Sequence, residues 1–123
     1  MTGRRAPRPD RQRRYRSGQT AEWIAGAYLI ARGHRILARR FKTSAGEIDL
    51  VTLKAGRLGF VEVKRRLTLA DCEASITPRL RQRVRGAANQ WMARNARYND
   101  HDQGFDLLFI RPWRLPVYLP NAL

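Results

Sequence analysis

Asp49, Glu62 and Lys64 are the residues of this chain whose types and spacing best suit chemistry. They lie on either side of Lys54-Ala55-Gly56-Arg57, and the flanking runs Gly46 to Leu53 and Leu58 to Lys64 mix charged with apolar residues as half-buried strands do. Ala55-Gly56 reads as a hairpin turn. A turn symmetric about that peptide bond sets Asp49 opposite Glu62 and Glu47 opposite Lys64, whether the loop has two residues or four. Directly opposed side chains have Cβ atoms roughly 5 Å apart, and like charges at that separation repel. Something positive should therefore sit there. A hard divalent cation held by carboxylate oxygens would offset the repulsion, and Lys64, on the same strand face as Glu62, would bring its ammonium to the same spot. The competing reading is a solvated ladder of ion pairs among Glu47, Asp49, Glu62 and Lys64 on an exposed sheet face. The opposed acids, and the apolar residues Ile48, Leu50, Val61 and Val63 expected on the other face, weigh against it.

Elements on both sides must position this hairpin. Ser17 can cap a helix running to about Arg32, with Gly33 as its stop. Within it Trp23, Ala27, Tyr28 and Ala31 fall on one stripe, widened by Ile24 and Leu29, and this stripe is expected to face the core. Ile36 to Phe41 reads as a first strand, and Arg65 to Ser75 as a loop with one helical turn. Thr77-Pro78 supplies an N-cap followed by proline at the first helical position. Leu80, Val84, Ala87, Ala88, Trp91 and Met92 then recur at helical spacing, so this helix is expected to reach about Arg97. Its other face presents Arg79, Arg81, Arg83, Arg85 and Arg94 with no acid among them, charges that repel unless a polyanion neutralises them. Phe105 to Ile110 suits a strand covered on both faces, and Leu115 to Leu119, flanked by prolines, suits a sheet edge or an extended tail. The order predicts an α/β sandwich around a small mixed sheet.

The formal charge of +15, with an isoelectric point near 11.6, implies a polyanionic partner, with nucleic acid the first expectation. A membrane partner is not expected, because no apolar run approaches the ~20 residues of a spanning helix. Arg4-Arg5 is followed by no apolar stretch of a secretion signal, so a cytoplasmic location is expected. The 123 residues allow one domain. Residues 1 to 16 carry Arg4, Arg5, Arg8, Arg11, Arg13, Arg14 and Arg16 against Asp10 alone, and read as a disordered basic arm that could contact phosphates, ahead of a folded domain over residues 17 to 123. The lone Cys72 reads as a packing residue, and His34 and His101 as surface residues.

The spacing of Asp49, twelve intervening residues and Glu62-Val63-Lys64 resembles the PD-(D/E)xK nuclease motif. More closely, Gly46-Glu47-Ile48-Asp49-Leu50, Phe60-Val61-Glu62-Val63-Lys64, Ile76-Thr77-Pro78-Arg79 and Phe105-Asp106 resemble the bacterial YraN-like proteins, regarded as predicted endonucleases related to archaeal Holliday-junction resolvases. The resemblance covers most of residues 17 to 120. It implies a restriction-endonuclease-like α-β-β-β-α-β sandwich and a Mg²⁺-dependent endonuclease acting on branched or junction DNA. Mg²⁺ keeps several waters, so Asp49, Glu62 and the Val63 carbonyl would suffice as ligands, with Mn²⁺ able to substitute. Lys64 would orient the attacking water or stabilise developing charge. In resolvase-type relatives a first-helix glutamate joins the metal, and Glu22 is the only acid in that helix. Glu47 is expected to orient Lys64, and Gln82 stands near a glutamine that many of these nucleases carry, displaced here by about one position. Gly104 replaces an arginine that often precedes Phe-Asp. A homodimer follows by analogy with the resolvases. The alternative is a nucleic-acid-binding module on a nuclease fold that does not cleave.

Overall fold

The computed structural model describes the backbone from Pro9 to Leu123 and the side chains from Thr20 onward. Helix α1 spans Pro9–Ala31, so it starts well before the expected Ser17 cap. Proline costs little at a helix start, where its missing N–H would be unpaired anyway, and the arginines and glutamine that follow are good helix formers. The backbones of Arg11, Arg13, Arg14 and Arg16 thus belong to α1, while Arg4, Arg5 and Arg8 lie outside the described residues. Gly33 ends the helix with φ 91, and the His34 amide donates to the Leu29 carbonyl at 2.9 Å.

Strands β1 (Arg35–Thr43), β2 (Gly46–Lys54), β3 (Arg57–Arg65), β4 (Asp102–Ile110) and β5 (Val117–Leu119) form one sheet in that spatial order. β3 and β4 are parallel and every other neighbouring pair is antiparallel. A parallel neighbour needs a long crossover. Helices α2 (Leu69–Ala74) and α3 (Pro78–Arg94) and a 3₁₀ turn at Ala96–Tyr98 supply it. The expected α-β-β-β-α-β sandwich with a mixed sheet is therefore what forms, with α2 added. Ala55 and Gly56 take φ 50 and 76, the left-handed pair that a tight two-residue hairpin requires. The resulting β2–β3 register runs from Lys54 opposite Arg57 to Leu50 opposite Val61, in phase with the sequence expectation. Thr77 caps α3 by accepting from the Leu80 amide, and α3 stops at Arg94, three residues short of the expected end, where the Asn95 side chain donates to the Trp91 carbonyl at 2.8 Å.

Both sheet faces are covered. On one, Val84, Ala87, Ala88 and Trp91 of α3 bury Ile48, Val51, Leu58 and Phe60. On the other, Ala21, Ala25 and Leu29 of α1 bury Leu50, Val61, Leu108 and Ile110. Cys72 of α2 packs on Leu107 and Phe109, as a packing residue should. The buried line of α1 differs from the stripe expected from sequence: Trp23 is 65 % and Ile24 41 % exposed, and Ala27 and Ala31 face outward too. Small alanines let the helix axis approach the sheet, whereas Trp23 would hold it off, and Trp23 instead lies 4.5 Å beneath the Arg39 guanidinium. Among the described residues, no helix is long and apolar enough to cross a membrane.

Candidate functional site

The ladder between β2 and β3 stops at Leu50 and Val61, although β2 continues along β1 to Gly46 and β3 continues along β4 to Arg65. β2 and β3 therefore part, and Asp49 and Glu62 are the first residues beyond the fork. In place of the next ladder bond the Val63 amide donates to Asp49 Oδ2 at 2.7 Å. The alternation of β2 breaks at the same point. Ile48 and Leu50, two residues apart, pack under α3 and α1 respectively, so Ile48 does not share a face with Leu50, Val61 and Val63 as expected. On β1, Arg40 falls between the pairs Arg39–Leu50 and Phe41–Ile48, directly across from Asp49, and takes the left-handed φ of 52. Strained backbone of this kind persists where the surroundings over-determine it. The Arg40 Nε lies 3.6 Å from Glu22 Oε2, which ties α1 to the fork. Lys64 Nζ lies 3.7 Å from Glu62 Oε1. Glu47 does not oppose Lys64 as expected, because the parting of β2 from β3 ends that register; it pairs with Lys42 on β1.

Burial governs the charges. Glu62 keeps only 8 % of its surface, and desolvation, then the Asp49 charge and the hydrogen bond between the two carboxyls, push it up to about 9. Asp49 is also raised by burial, but its bonds from Glu62 and from the Val63 amide favour its charged form. Burial and the mutual repulsion of the two carboxyls therefore favour a proton on the pair. Glu22 is raised as well, first by burial and then by Asp49, against the lowering effect of Arg40.

A cleft of about 50 Å³, room for a water or two, opens beside the pair and is lined by Glu22, Arg40, Lys42, Glu47, Ile48 and Asp49. Among the described residues, no three acidic, histidine or cysteine side chains converge as a ready metal cage. A magnesium ion, however, takes one or two carboxylates and keeps waters for the rest. Two carboxyl groups that must share a proton to coexist offer the donor chemistry a hard cation could occupy in the proton's stead, so Asp49 and Glu62 fit such an ion. The structure thus brings Asp49, Glu62 and Lys64 together and sets Glu22 and Glu47 at the rim.

The other expected residues stand apart. Gln82 is exposed on α3, and among the described residues no hydrogen bond or ion pair joins it to the site. Arg79, Arg81, Arg85 and Arg94 are exposed and Arg83 half-buried; Arg85 also lies 4.6 Å over Phe105 and bonds the Leu123 carbonyl, and Arg94 lies 5.5 Å over Phe41. Arg40 and Lys42 went unnoticed in the sequence, although the register of β1 on β2 would have pointed to them. Phe105-Asp106 proves to be a structural anchor. Asp106 is fully buried and accepts two bonds from the Arg57 guanidinium at 2.9 and 2.7 Å, one from the Tyr118 hydroxyl at 2.6 Å and one from the Asn121 amide at 2.9 Å. This cluster ties β3, β4 and β5 together. The Arg57 guanidinium fills the space beside Gly104 that a side chain there would need, so an arginine arriving from β3 serves the strand that carries none at position 104.

The model of the uncharacterised protein family UPF0102 matches residues 21–110. A UPF0102 protein of Rhodopseudomonas palustris (strain HaA2) is 46 % identical over 116 residues, covering 94 % of this chain and 91 % of the relative. One from Mesorhizobium japonicum is 41 % identical over 94 % of this chain and 93 % of its own length, and one from Bradyrhizobium sp. (strain ORS 278) is 43 % identical over 93 % and 81 %.

Proposed function

We propose that this chain, which belongs to the uncharacterised protein family UPF0102, is a divalent-metal-dependent endonuclease that hydrolyses phosphodiester bonds in DNA. One observation carries the reading: the carboxyls of the buried Glu62 and the half-buried Asp49 meet at a fork between strands, with the Lys64 ammonium 3.7 Å from Glu62. A solvated ion-pair ladder would have no reason to bury its acids. Asp49, Glu62 and the Val63 carbonyl would hold Mg²⁺ or Mn²⁺, which when bound acidifies a water and polarises the phosphoryl group. Lys64 places a point cation where charge builds on the phosphate or the attacking oxygen, in a site dry enough for that charge to count. Glu22, kept in place by Arg40, adds negative charge at the edge of the cleft and orients water there. Recognition rests on phosphates and on DNA shape, as for the junction resolvases that the motifs resemble, and a homodimer would present two such sites to two strands.

The test is cleavage of forks, flaps and four-way junctions with added Mg²⁺ or Mn²⁺. Asp49→Asn and Glu62→Gln are each expected to abolish cleavage while DNA affinity stays equal or rises, since Asp49→Asn removes negative charge facing phosphate and Glu62→Gln replaces a carboxyl that tends to hold its proton. Lys64→Ala is expected to lose turnover and keep metal binding. Wild-type rates in either carboxylate variant, with contamination excluded, would overturn the assignment, and tight DNA binding by a wild-type protein that never cleaves would favour the non-cleaving binding module.

A further inference from the structure

A second opening lies at the ends of β3 and β4, between α1 and the segment joining β4 to β5. It has a volume of about 570 Å³, with Ile24, Ile110, Trp113 and Leu115 as its apolar lining and Arg65, Arg111 and Arg114 among the residues that border it. It draws on two elements that also serve the acidic site. Arg65 follows Lys64 in β3, and Ile24 lies two residues beyond Glu22 in α1.

The opening is unusual in what it leaves uncovered. Trp113 is 102 % exposed and Leu115 76 %, and with Ile24 they make a contiguous apolar surface rather than scattered single residues. Trp113 also takes φ 59, a left-handed backbone that bulky residues rarely adopt, so a strained turn projects the indole outward. Among the described residues, no carboxylate pairs with Arg65, Arg111 or Arg114. The Arg111 Nε is buried without a hydrogen-bond partner, a donor whose desolvation is unrelieved, while its guanidinium rests 5.4 Å over Phe109.

The chemistry narrows the occupant. An apolar protein surface would bury three cations without counter-charges, which is costly. A duplex would offer phosphates to the arginines, but its bases are stacked away and leave the indole unused. A nucleotide out of its stack presents a flat π face and a phosphate together, the combination that single-strand-binding surfaces meet with aromatic platforms and arginines. We propose that this cleft binds an unpaired nucleotide, with its base stacked on Trp113 and its flanking phosphates on Arg65, Arg111 and Arg114. The preferred substrate then has single-stranded character. That consequence rests on the nuclease reading, whereas the binding itself does not.

The experiment measures equilibrium binding, in EDTA, of the full chain to a labelled oligothymidylate and to its abasic counterpart of equal length. The wild type is expected to prefer the base-bearing strand by about tenfold, within the range of one base–aromatic stack. Trp113→Ala is expected to erase that preference without weakening binding to the abasic strand, Trp113→Phe to retain most of it, and Arg111→Ala to weaken both strands alike. Thermal melting checks that the fully exposed side chain is removed without loss of fold. Equal affinity for both strands in the wild type, or a preference that survives in Trp113→Ala, overturns the proposal. So does an effect of Trp113→Ala confined to self-association or to binding of anionic phospholipid vesicles. Base preference in a protein that cleaves nothing with Mg²⁺ or Mn²⁺ would sink the nuclease reading and leave the cleft assignment standing.

Discussion

Two carboxyls forced together must share a proton or a cation, and at Asp49 and Glu62 this makes pH a readout of the site. The unfolded chain releases the Glu62 proton in the ordinary carboxyl range, whereas the folded chain holds it up to about 9. Between those limits the folded state binds more protons than the unfolded one, so this group's contribution to stability is full at low pH and is lost as pH rises towards 9. The slope from one proton is at most about 1.4 kcal/mol per pH unit. Denaturant unfolding in EDTA is expected to show the wild type losing stability through neutral and alkaline pH, and Glu62→Gln to flatten that loss. An equal slope in both proteins would place the proton elsewhere. A bound cation has to displace the same proton, so Mg²⁺ affinity is expected to rise with pH over this window.

At the scale of elements, α1 is held by two alanines and a leucine. Ala21, Ala25 and Leu29 form its buried line, and the large Trp23 lies outside it. Ala25→Leu is therefore expected to cost about 1–3 kcal/mol by overpacking the helix against Leu50 and Val61. Trp23→Ala should cost no more than about 1 kcal/mol, the scale of its exposed contact with Arg39. Urea unfolding ranks the two, and the reverse order would mean that α1 is rotated about its axis. Rotation matters to the site as well, because Glu22 meets Arg40 only with the helix in this orientation. A similar tolerance operates on the other face. The Arg83 carbonyl of α3 packs against Gly46 where a β-carbon would stand, so glycine at the start of β2 lets α3 sit close to the strand that carries Asp49.

For the molecule as a whole, the charge of +15 is spread over surfaces that are not equivalent. Arg79, Arg81, Arg85 and Arg94 are all exposed, but Arg85 and Arg94 also rest over Phe105 and Phe41, so Arg79 and Arg81 are the freer to meet phosphates. Deleting residues 2 to 8 removes Arg4, Arg5 and Arg8 and leaves the Pro9 helix start in place. If all three contact duplex phosphates, the log–log salt slope of DNA binding is expected to fall in magnitude by up to about 3 units, uniformly across DNA structures. An unchanged slope would show that these arginines do not touch the duplex.

Where the chain's instructions are local, they were legible without the fold. Ala55-Gly56 sets the hairpin and hence the register that carries Asp49 and Glu62 together to the fork just beyond Leu50 and Val61, because a tight turn leaves its strands one phase. Thr77-Pro78 starts α3, because the cap and the ring act within one turn. The motifs over these segments also pointed to the family. Other features depend on residues far apart in sequence. Where β2 parts from β3, beyond Leu50 and Val61, each strand is still held by its other partner in the sheet, β1 or β4. The face that α1 buries is chosen by how closely the sheet beneath lets it approach, which hydrophobicity along the helix does not encode. Asp106 finds Arg57, Tyr118 and Asn121 only once three strands lie side by side. Sequence determined the catalytic candidates and the hairpin that carries them; tertiary packing decided that Arg40 stands across from Asp49, that Glu47 faces Lys42, and that Trp113 is left in solvent, since each of these depends on which distant surface arrives alongside.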